Sequence, residues 1–237
     1  MTPEALEFFK QHDYKNTFIY PPLPETTDPW TQFNFIMNNT CAPWLELIGI
    51  DVPYKEMFRE AHALRDRFVF HRDEEGCHQG WRSLAIHGIS STKTNIPETY
   101  GLDPTQVTYT WTDIQDQCPV TVDFFKNIMP YNSYQRVRFM LLEPRGYILP
   151  HSDNTQSCLG AAINIALNNP SGCRLTTELG TAPFRDEGTI LFFNNHYRHA
   201  VWNDSDQDRI HMVVHGAWNS ERIMPVVINS YKRLLEN

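Results

Sequence analysis

The sequence predicts a mainly β protein with flanking helices, an α+β chain whose second half forms a sandwich or jelly roll. Three observations predict it. From Tyr134 onward the apolar residues alternate with a period of two, as on a half-buried strand. The alternation falls into seven short runs, near 136–142, 147–153, 161–168, 172–177, 188–194, 196–203 and 209–217. Turn-forming clusters separate most of them: Pro144-Arg145-Gly146, Asn168-Asn169-Pro170 and Asp186-Glu187-Gly188.

The first half reads differently. Thr2-Pro3-Glu4 is a helix start, with a capping hydroxyl and a proline in the first turn, and Leu6, Phe8 and Phe9 give that helix its apolar side. Pro21-Pro22-Leu23-Pro24 is a stiff extended link. Asp28-Pro29 repeats the cap signal before Trp30, Phe33, Ile36 and Met37 at helical spacing, and Asn38-Asn39 stops the helix. Asp51-Val52-Pro53 opens a third helix to about Asp66, with Tyr54, Met57, Phe58, Ala61 and Leu64 on one side and His62 at the surface. Phe68–Phe70 and Trp81–His87 read as strands around a polar loop, and residues 90–110 as a loop or lid. Pro119 starts a short helix with Val120, Phe124 and Ile128 inward, and Pro130 ends it. Each helix is expected to buttress an outer face of the sheet.

With 237 residues, the chain is expected to be one domain: 1–133 a buttress and substrate side, 134–218 the barrel core, 219–237 a C-terminal tail. The net charge of -8 argues against nucleic acid as a partner, because phosphate binding needs a basic footprint. The five cysteines, Cys41, Cys77, Cys118, Cys158 and Cys173, are odd in number and form no CxxC, which suits reduced thiols. No positive-then-apolar leader and no run of ~20 apolar residues is visible, so a cytoplasmic protein with no membrane partner is expected. Phosphate loops and dinucleotide-binding patterns are absent from the sequence.

The chemistry-bearing stretch runs from Leu149 to Arg209. His151 and Asp153 are two apart after Tyr147-Ile148-Leu149, so on an extended chain both side chains emerge on one face. His199 supplies a third donor from far downstream. Two imidazoles and one carboxylate leave open positions, the arrangement of non-haem Fe(II) oxygenases; a structural zinc site would be closed by four ligands. Pro-His-Ser-Asp-Asn is also turn-forming, and only the combination with His199 and Arg209 raises it above a turn. Asn203 to Asp208 is a polar tract between two apolar runs, which reads as a hairpin placing Arg209 beside the rung of His199 on a neighbouring strand ~4.8 Å away. A guanidinium there matches a carboxylate bidentately. The implied cofactor chelates iron at one end and carries a carboxylate at the other, as 2-oxoglutarate does.

These residues resemble the aspartyl/asparaginyl β-hydroxylases within the Fe(II)/2-oxoglutarate oxygenases. The matching pieces are Arg136-Val137-Arg138-Phe139, Pro150-His151-Ser152-Asp153, Ser171-Gly172-Cys173-Arg174-Leu175, His199-Ala200-Val201-Trp202-Asn203 and Arg209, within 135–218. The resemblance implies a double-stranded β-helix, iron on His151, Asp153 and His199, and 2-oxoglutarate on Arg209. It implies oxidative decarboxylation to succinate and CO2, with O2 as co-substrate, coupled to hydroxylation of an unactivated C–H. Animal peptide-hydroxylating members lack the carboxylate ligand; Asp153 is present here, as in relatives that act on free amino acids. A carboxylate at that position also argues against a halogenase.

Asn164, a polar residue within Ala161–Leu167, and Thr176 are further candidates to touch 2-oxoglutarate by the same resemblance. Arg136, Arg138 and Arg82 lie on expected strands and could supply a cation for a substrate carboxylate; a surface salt bridge is the alternative for each. His211 and His215 share the face of Arg209 by alternation, and His196 should face away. The substrate is expected to be a small molecule or peptide, an amino acid free or within a peptide. Two alternatives stay open on the residues alone: a zinc-dependent hydrolase or isomerase with the same ligands, and a non-catalytic jelly-roll binding module.

Overall fold

The computed structural model describes the chain except for residues 15–17, 39–40, 73–77, 154–158, 161, 185–186 and 237. Cys77, Cys158, most of the polar loop before Gly80, and parts of the expected breaks at Asn39 and Asp186 therefore lie outside the described residues. The elements in order are α1 (Pro3–His12), α2 (Pro29–Met37), β1 (Trp44–Leu47), α3 (Tyr54–Ala63), β2 (Val69–Phe70), β3 (His78–Gly88), β4 (Thr110–Trp111) and α4 (Pro119–Asp123). There follow β5 (Tyr131–His151), β6 (Ala162–Ala166), β7 (Cys173–Thr177), β8 (Gly180–Thr181), β9 (Ile190–Phe193), β10 (His199–Asn203), β11 (Arg209–Trp218) and α5 (Ser220–Leu235).

The strands run antiparallel in the order β1-β9-β6-β11-β5-β10-β7-β8, with β2, β3 and β4 added beside β5. β5 belongs to two layers. Its first part, to Leu142, pairs with β11, and its end, from Tyr147 to His151, pairs with β10. From β6 onward the chain alternates layers: β6, β9 and β11 lie on one, and β7, β8 and β10 on the other. This alternation is the double-stranded β-helix. The crossing of β5 falls at Glu143–Gly146, where Arg145 holds φ +62. A Cβ on Gly146 would lie 2.8 Å from the Gln79 and Glu143 carbonyl oxygens, so only glycine lets the strand pass there.

Each layer face has its own cover. The outer face of the β11 layer presents Phe139, Leu141, Ile163, Ile165, Ile210, Met212 and Val214 to the helices, which answer with Phe33, Ile36, Met57, Ala61, Ile223, Val227 and Tyr231. Between the layers lie Leu142, Ile148, Leu175, Leu191, Phe193 and Val201. α1 lays Phe8 and Phe9 over Ala200 and Trp202 on the far side. Among the described residues no helix is long and apolar enough to cross a membrane.

The helix starts follow their caps: Thr2 Oγ1 accepts from Ala5 N at 3.3 Å, and Asp28 accepts from Trp30 N and Thr31 N. Several expectations need correction. Leu6 and Trp30 are exposed, because Ala5 with Phe8–Phe9 and Phe33 with Ile36 suffice to face the core. After α4 the backbone makes a π turn over Phe124–Ile128, which inserts a residue into the helical repeat. Phe124 and Phe125 turn inward as a result, and Ile128 is left exposed. The expected break at Pro144–Gly146 is a bend inside one strand. β10 begins at His199, and 196–198 form a turn. β1 was not expected; its residues pair with β9. The expected tail is the helix α5, capped by Asn219 and carrying Pro225 near its start. Ile223, Val227 and Tyr231 recur at i, i+4 and i+8 and anchor it.

The hairpin expectation also fails. β10 pairs with β5 and β7, while β11 pairs with β5 and β6, so the two strands lie in opposite layers. The link between them is held by Asn203, which is fully buried. Its amide nitrogen donates to the carbonyls of Leu142, Glu143 and Gln207, and its oxygen accepts from Cys173 Sγ and from Ser205. One side chain thus ties the bend of β5 to β7 and to the turn that delivers Arg209. Asn203→Ala would strand these buried groups, at a cost of roughly 3 kcal/mol. A melting experiment should show Tm lowered by about 6–12 °C for a chain of this size; an unchanged Tm would contradict this role.

Candidate metal and cofactor site

The two layers enclose a cavity of about 930 Å³. Strand register decides what faces it. On β11, residues Arg209, His211, Val213 and His215 oppose Leu142, Met140, Arg138 and Arg136 of β5, so all eight side chains point to one side. Asn164 lies opposite Val213 from the neighbouring strand β6. The other layer contributes His151, Ile148, Leu175, His199 and Val201.

His151 and His199 are direct partners across β5 and β10, with ring centroids 4.5 Å apart. Asp153 follows the end of β5 and is tied back by its N–H to the Asn195 carbonyl at 3.0 Å. His151 Nε2 lies 3.5 Å from Asp153 Oδ1, and His199 Nε2 lies 3.8 Å from Asp153 Oδ2. Each imidazole turns its other nitrogen to a backbone carbonyl two residues before it: Nδ1 of His151 to Leu149 at 2.8 Å, Nδ1 of His199 to Tyr197 at 2.9 Å. A carbonyl only accepts, so both Nδ1 atoms carry the proton and both Nε2 lone pairs face the carboxylate. That is how a metal-binding histidine is oriented. One ligand atom from each of the three residues lies within 4.8 Å of the others, and no other such group occurs among the described residues.

The electrostatics suit a cation between them. Burial, followed by the charge of His151, pulls His199 down to about 4, so it is neutral at pH 7. Burial alone would push the Asp153 carboxyl up, but the neighbouring His151, His199 and Arg72 hold it well below the usual carboxylate range. Two imidazoles and one carboxylate, with the cavity side open, fit ferrous iron.

Arg209 is 6% exposed and lines the same cavity. Burial pulls it down to about 10, which leaves it a cation. It donates from Nη2 to His211 Nδ1 at 2.9 Å, and its Nε has no partner. Phe184 lies 5.8 Å from the guanidinium carbon and makes the surroundings apolar. A buried guanidinium with an unused donor and, among the described residues, no carboxylate beside it fits the distal carboxylate of 2-oxoglutarate.

Of the remaining sequence candidates, Asn164, Arg136 and His215 line the cavity, and Arg138 is buried against it. Thr176 does not line it: on β7 the inward residue is Leu175, and the Thr176 hydroxyl meets Thr181 at 3.3 Å. Arg82 is also elsewhere, bonded to Glu143 at 2.6 Å and stacked 3.8 Å from the Phe70 ring. His196 is outside the triad. The sequence reading missed the contributions of the first half: His71, Arg72, Trp81, Asn95, Ile96 and Tyr100 close the cavity. Arg72 sits 3.5 Å from Asp153 and over the Trp81 ring. The one signal for them was the polar pair His71-Arg72 directly following the Phe68–Phe70 run.

A search of curated proteins finds no match. Remote likenesses occur among solved structures. A Pseudomonas putida prolyl-4-hydroxylase shares 11% identity with TM-score 0.42, covering 78% of this chain and 98% of that one. A Trichoplax adhaerens prolyl hydroxylase, solved with a peptide fragment of hypoxia inducible factor, shares 11% with TM-score 0.43, covering 81% and 91%. A collagen prolyl hydroxylase of Paramecium Bursaria Chlorella virus-1, solved with 2-oxoglutarate, shares 13% with TM-score 0.38, covering 73% and 95%. The family model for aspartyl/asparaginyl β-hydroxylase matches residues 53–217, the greater part of the chain and the whole of the cavity's sheet beyond β1. The chain therefore belongs to the aspartyl/asparaginyl β-hydroxylase family and is an Fe(II)/2-oxoglutarate-dependent hydroxylase.

Proposed function

We propose that this hydroxylase acts on an amino acid, free or within a peptide, and that His151, Asp153 and His199 hold its iron. The observation that carries the ligand assignment is the shared orientation of the two imidazoles, each proton on a backbone carbonyl and each lone pair toward Asp153. The family to which the chain belongs is named for the hydroxylation of amino acid residues, which supports the substrate class.

With iron, 2-oxoglutarate and O2 bound, such a site couples decarboxylation of the oxo acid to succinate and CO2 with insertion of one oxygen atom into an unactivated C–H. The protein's part is geometry and exclusion of water. Leu149 and Tyr197 carbonyls fix the tautomers of the two histidines. Asn195 and Arg72 hold Asp153 in place and charged. Arg209, fixed by His211, takes the distal carboxylate of 2-oxoglutarate, with Asn164 facing the same space. Ile148, Leu175, Phe193 and Val201 line the walls and keep the site dry.

Three outcomes are expected. His151→Ala should lose Fe(II) binding and cut succinate formation by more than the ~100-fold that an outer partner of a metal ligand is worth; equal turnover would discard the ligand assignment. Arg209→Gln should raise the Kd for 2-oxoglutarate roughly 10–100-fold in calorimetry under anaerobic conditions, and an unchanged Kd would place the carboxylate elsewhere. The third concerns pH. His78 and His199 are both pulled to about 4, chiefly by burial, so between pH 6.5 and 4 the unfolded chain binds more protons than the folded one. The metal-free protein should therefore lose stability steadily as pH falls through that window. A flat Tm from pH 7 to 5 would contradict the burial of neutral imidazoles.

A further inference from the structure

Most arginines of this protein are spoken for. Arg65 meets Asp208, Arg67 meets Asp113, Arg82 meets Glu143, Arg145 meets Asp204, Arg174 meets Asp13 and Arg198 meets Glu4. Arg136 and Arg138 are the contrast. Both lie on the cavity face of β5, two residues apart, opposite His215 and Val213. Neither has a carboxylate within ion-pair distance among the described residues. Arg138 is 4% exposed; it donates from Nη1 to the Thr94 carbonyl at 2.9 Å, and its Nε has no partner. Arg136 lines the cavity and makes no hydrogen bond with a described residue. Beside them His215 Nδ1 is closed off from solvent and equally unpartnered.

Two neighbouring guanidinium groups with no carboxylate at ion-pair distance among the described residues, and Asp153 only at longer range, are costly to enclose. Burial and the charge of Arg136 pull Arg138 down to about 9, and burial with the charges of both arginines holds His215 well below the usual imidazole range. The strain is relieved by an anion between them. Resting on the reading above, we propose that Arg136 and Arg138 form the substrate's carboxylate pocket, and that the substrate is an amino acid whose carboxylate is free. The pocket is separate from the 2-oxoglutarate end: Val213 and His215, opposite Arg138 and Arg136, stand four and six positions along β11 from Arg209, roughly 13 and 20 Å of extended chain. It is also roofed. Asn95, Ile96, Thr99 and Tyr100 line the cavity, and Thr94 is pinned by Arg138 and by the Ser83 hydroxyl at 2.6 Å. A guanidinium so enclosed is reached by the end of a molecule, not by the middle of a peptide chain. A planar fork of donors matches a carboxylate with two hydrogen bonds, and an amide offers one acceptor in place of two and no charge.

The test uses the full chain, loaded anaerobically with Mn(II) and 2-oxoglutarate, so that no turnover is needed. The probes are the free L-amino acids and their α-amides, read by thermal shift and by saturation-transfer NMR. At least one free acid should bind, with its amide at least tenfold weaker. In Arg136→Gln and in Arg138→Gln the affinity of that acid should fall about 10–100-fold, to the level of its amide, while 2-oxoglutarate affinity stays within about twofold of the parent. If Arg138→Gln does not fold, the less buried Arg136→Gln carries the test. The proposal is overturned if acid and amide bind equally to the parent. It is overturned too if the variants keep the preference, or if no free acid binds a protein that does bind 2-oxoglutarate. Loss of 2-oxoglutarate affinity in Arg136→Gln would reassign the pair to the cofactor and overturn it as well. A parent protein that binds neither Mn(II) nor 2-oxoglutarate would instead undo the cofactor assignment, and acid binding to the metal-free chain would still decide the pocket.

Discussion

The structure depends on one strand changing layers. β5 runs unbroken from Tyr131 to His151, yet its two ends pair in different sheets. The first end holds Arg136 and Arg138; the second ends on His151. The bend between them therefore sets the distance from the His151–Asp153–His199 group to everything on the other layer. Three features hold that bend: a glycine where no Cβ fits, Arg145 in the left-handed region tied to Asp204, and the Asn203 amide shared among the carbonyls around it. Backbone groups at such a crossing have left one ladder and not yet joined the next. A buried side-chain amide replaces the missing partners.

The same crossing explains how Arg209 reaches the cavity. The turn after Asn203 carries the chain from one layer to the other, so His199 and Arg209 look at each other across the cavity, not along a sheet. A bound molecule can then bridge them. The site is polar on a background of apolar walls, and several of its polar atoms have no partner among the described residues: Arg209 Nε at one end, Arg138 Nε and His215 Nδ1 at the other. These are the places where ligands supply the missing bonds.

Much of this was legible in the sequence, and the limits have physical reasons. The His151/Asp153 pair was legible in its spacing, although β5 ends at His151 and Asp153 lies in the bend after it, and the cavity face of β11 followed from alternation. Arg209 does line the cavity, but not by the hairpin that the sequence suggested. Period-two patterning says which face a residue takes, and says nothing about which strand lies alongside; the hairpin reading confused the two. Thr176 failed on the same rule, since Leu175 already occupied the inward position. α5 carried its signal in Ile223, Val227 and Tyr231, but Pro225, the sixth residue of the helix and past its first turn, is a residue that usually breaks one. For Arg72 the only signal was the polar pair His71-Arg72, and for Asn95 and Tyr100 only the expectation of a loop or lid over 90–110, which names no residue. They belong to loops whose position is decided by packing against Trp81 and β5.

The central claim is that three side chains from two strands converge on one iron, with 2-oxoglutarate reaching from it to Arg209. An anaerobic crystal structure with Fe(II) and 2-oxoglutarate tests it most directly. The account predicts iron bonded to Nε2 of His151, Nε2 of His199 and the Asp153 carboxylate, and the distal carboxylate of the oxo acid on Arg209. Iron held through other side chains, or that carboxylate seated on Arg136 and Arg138, would contradict it.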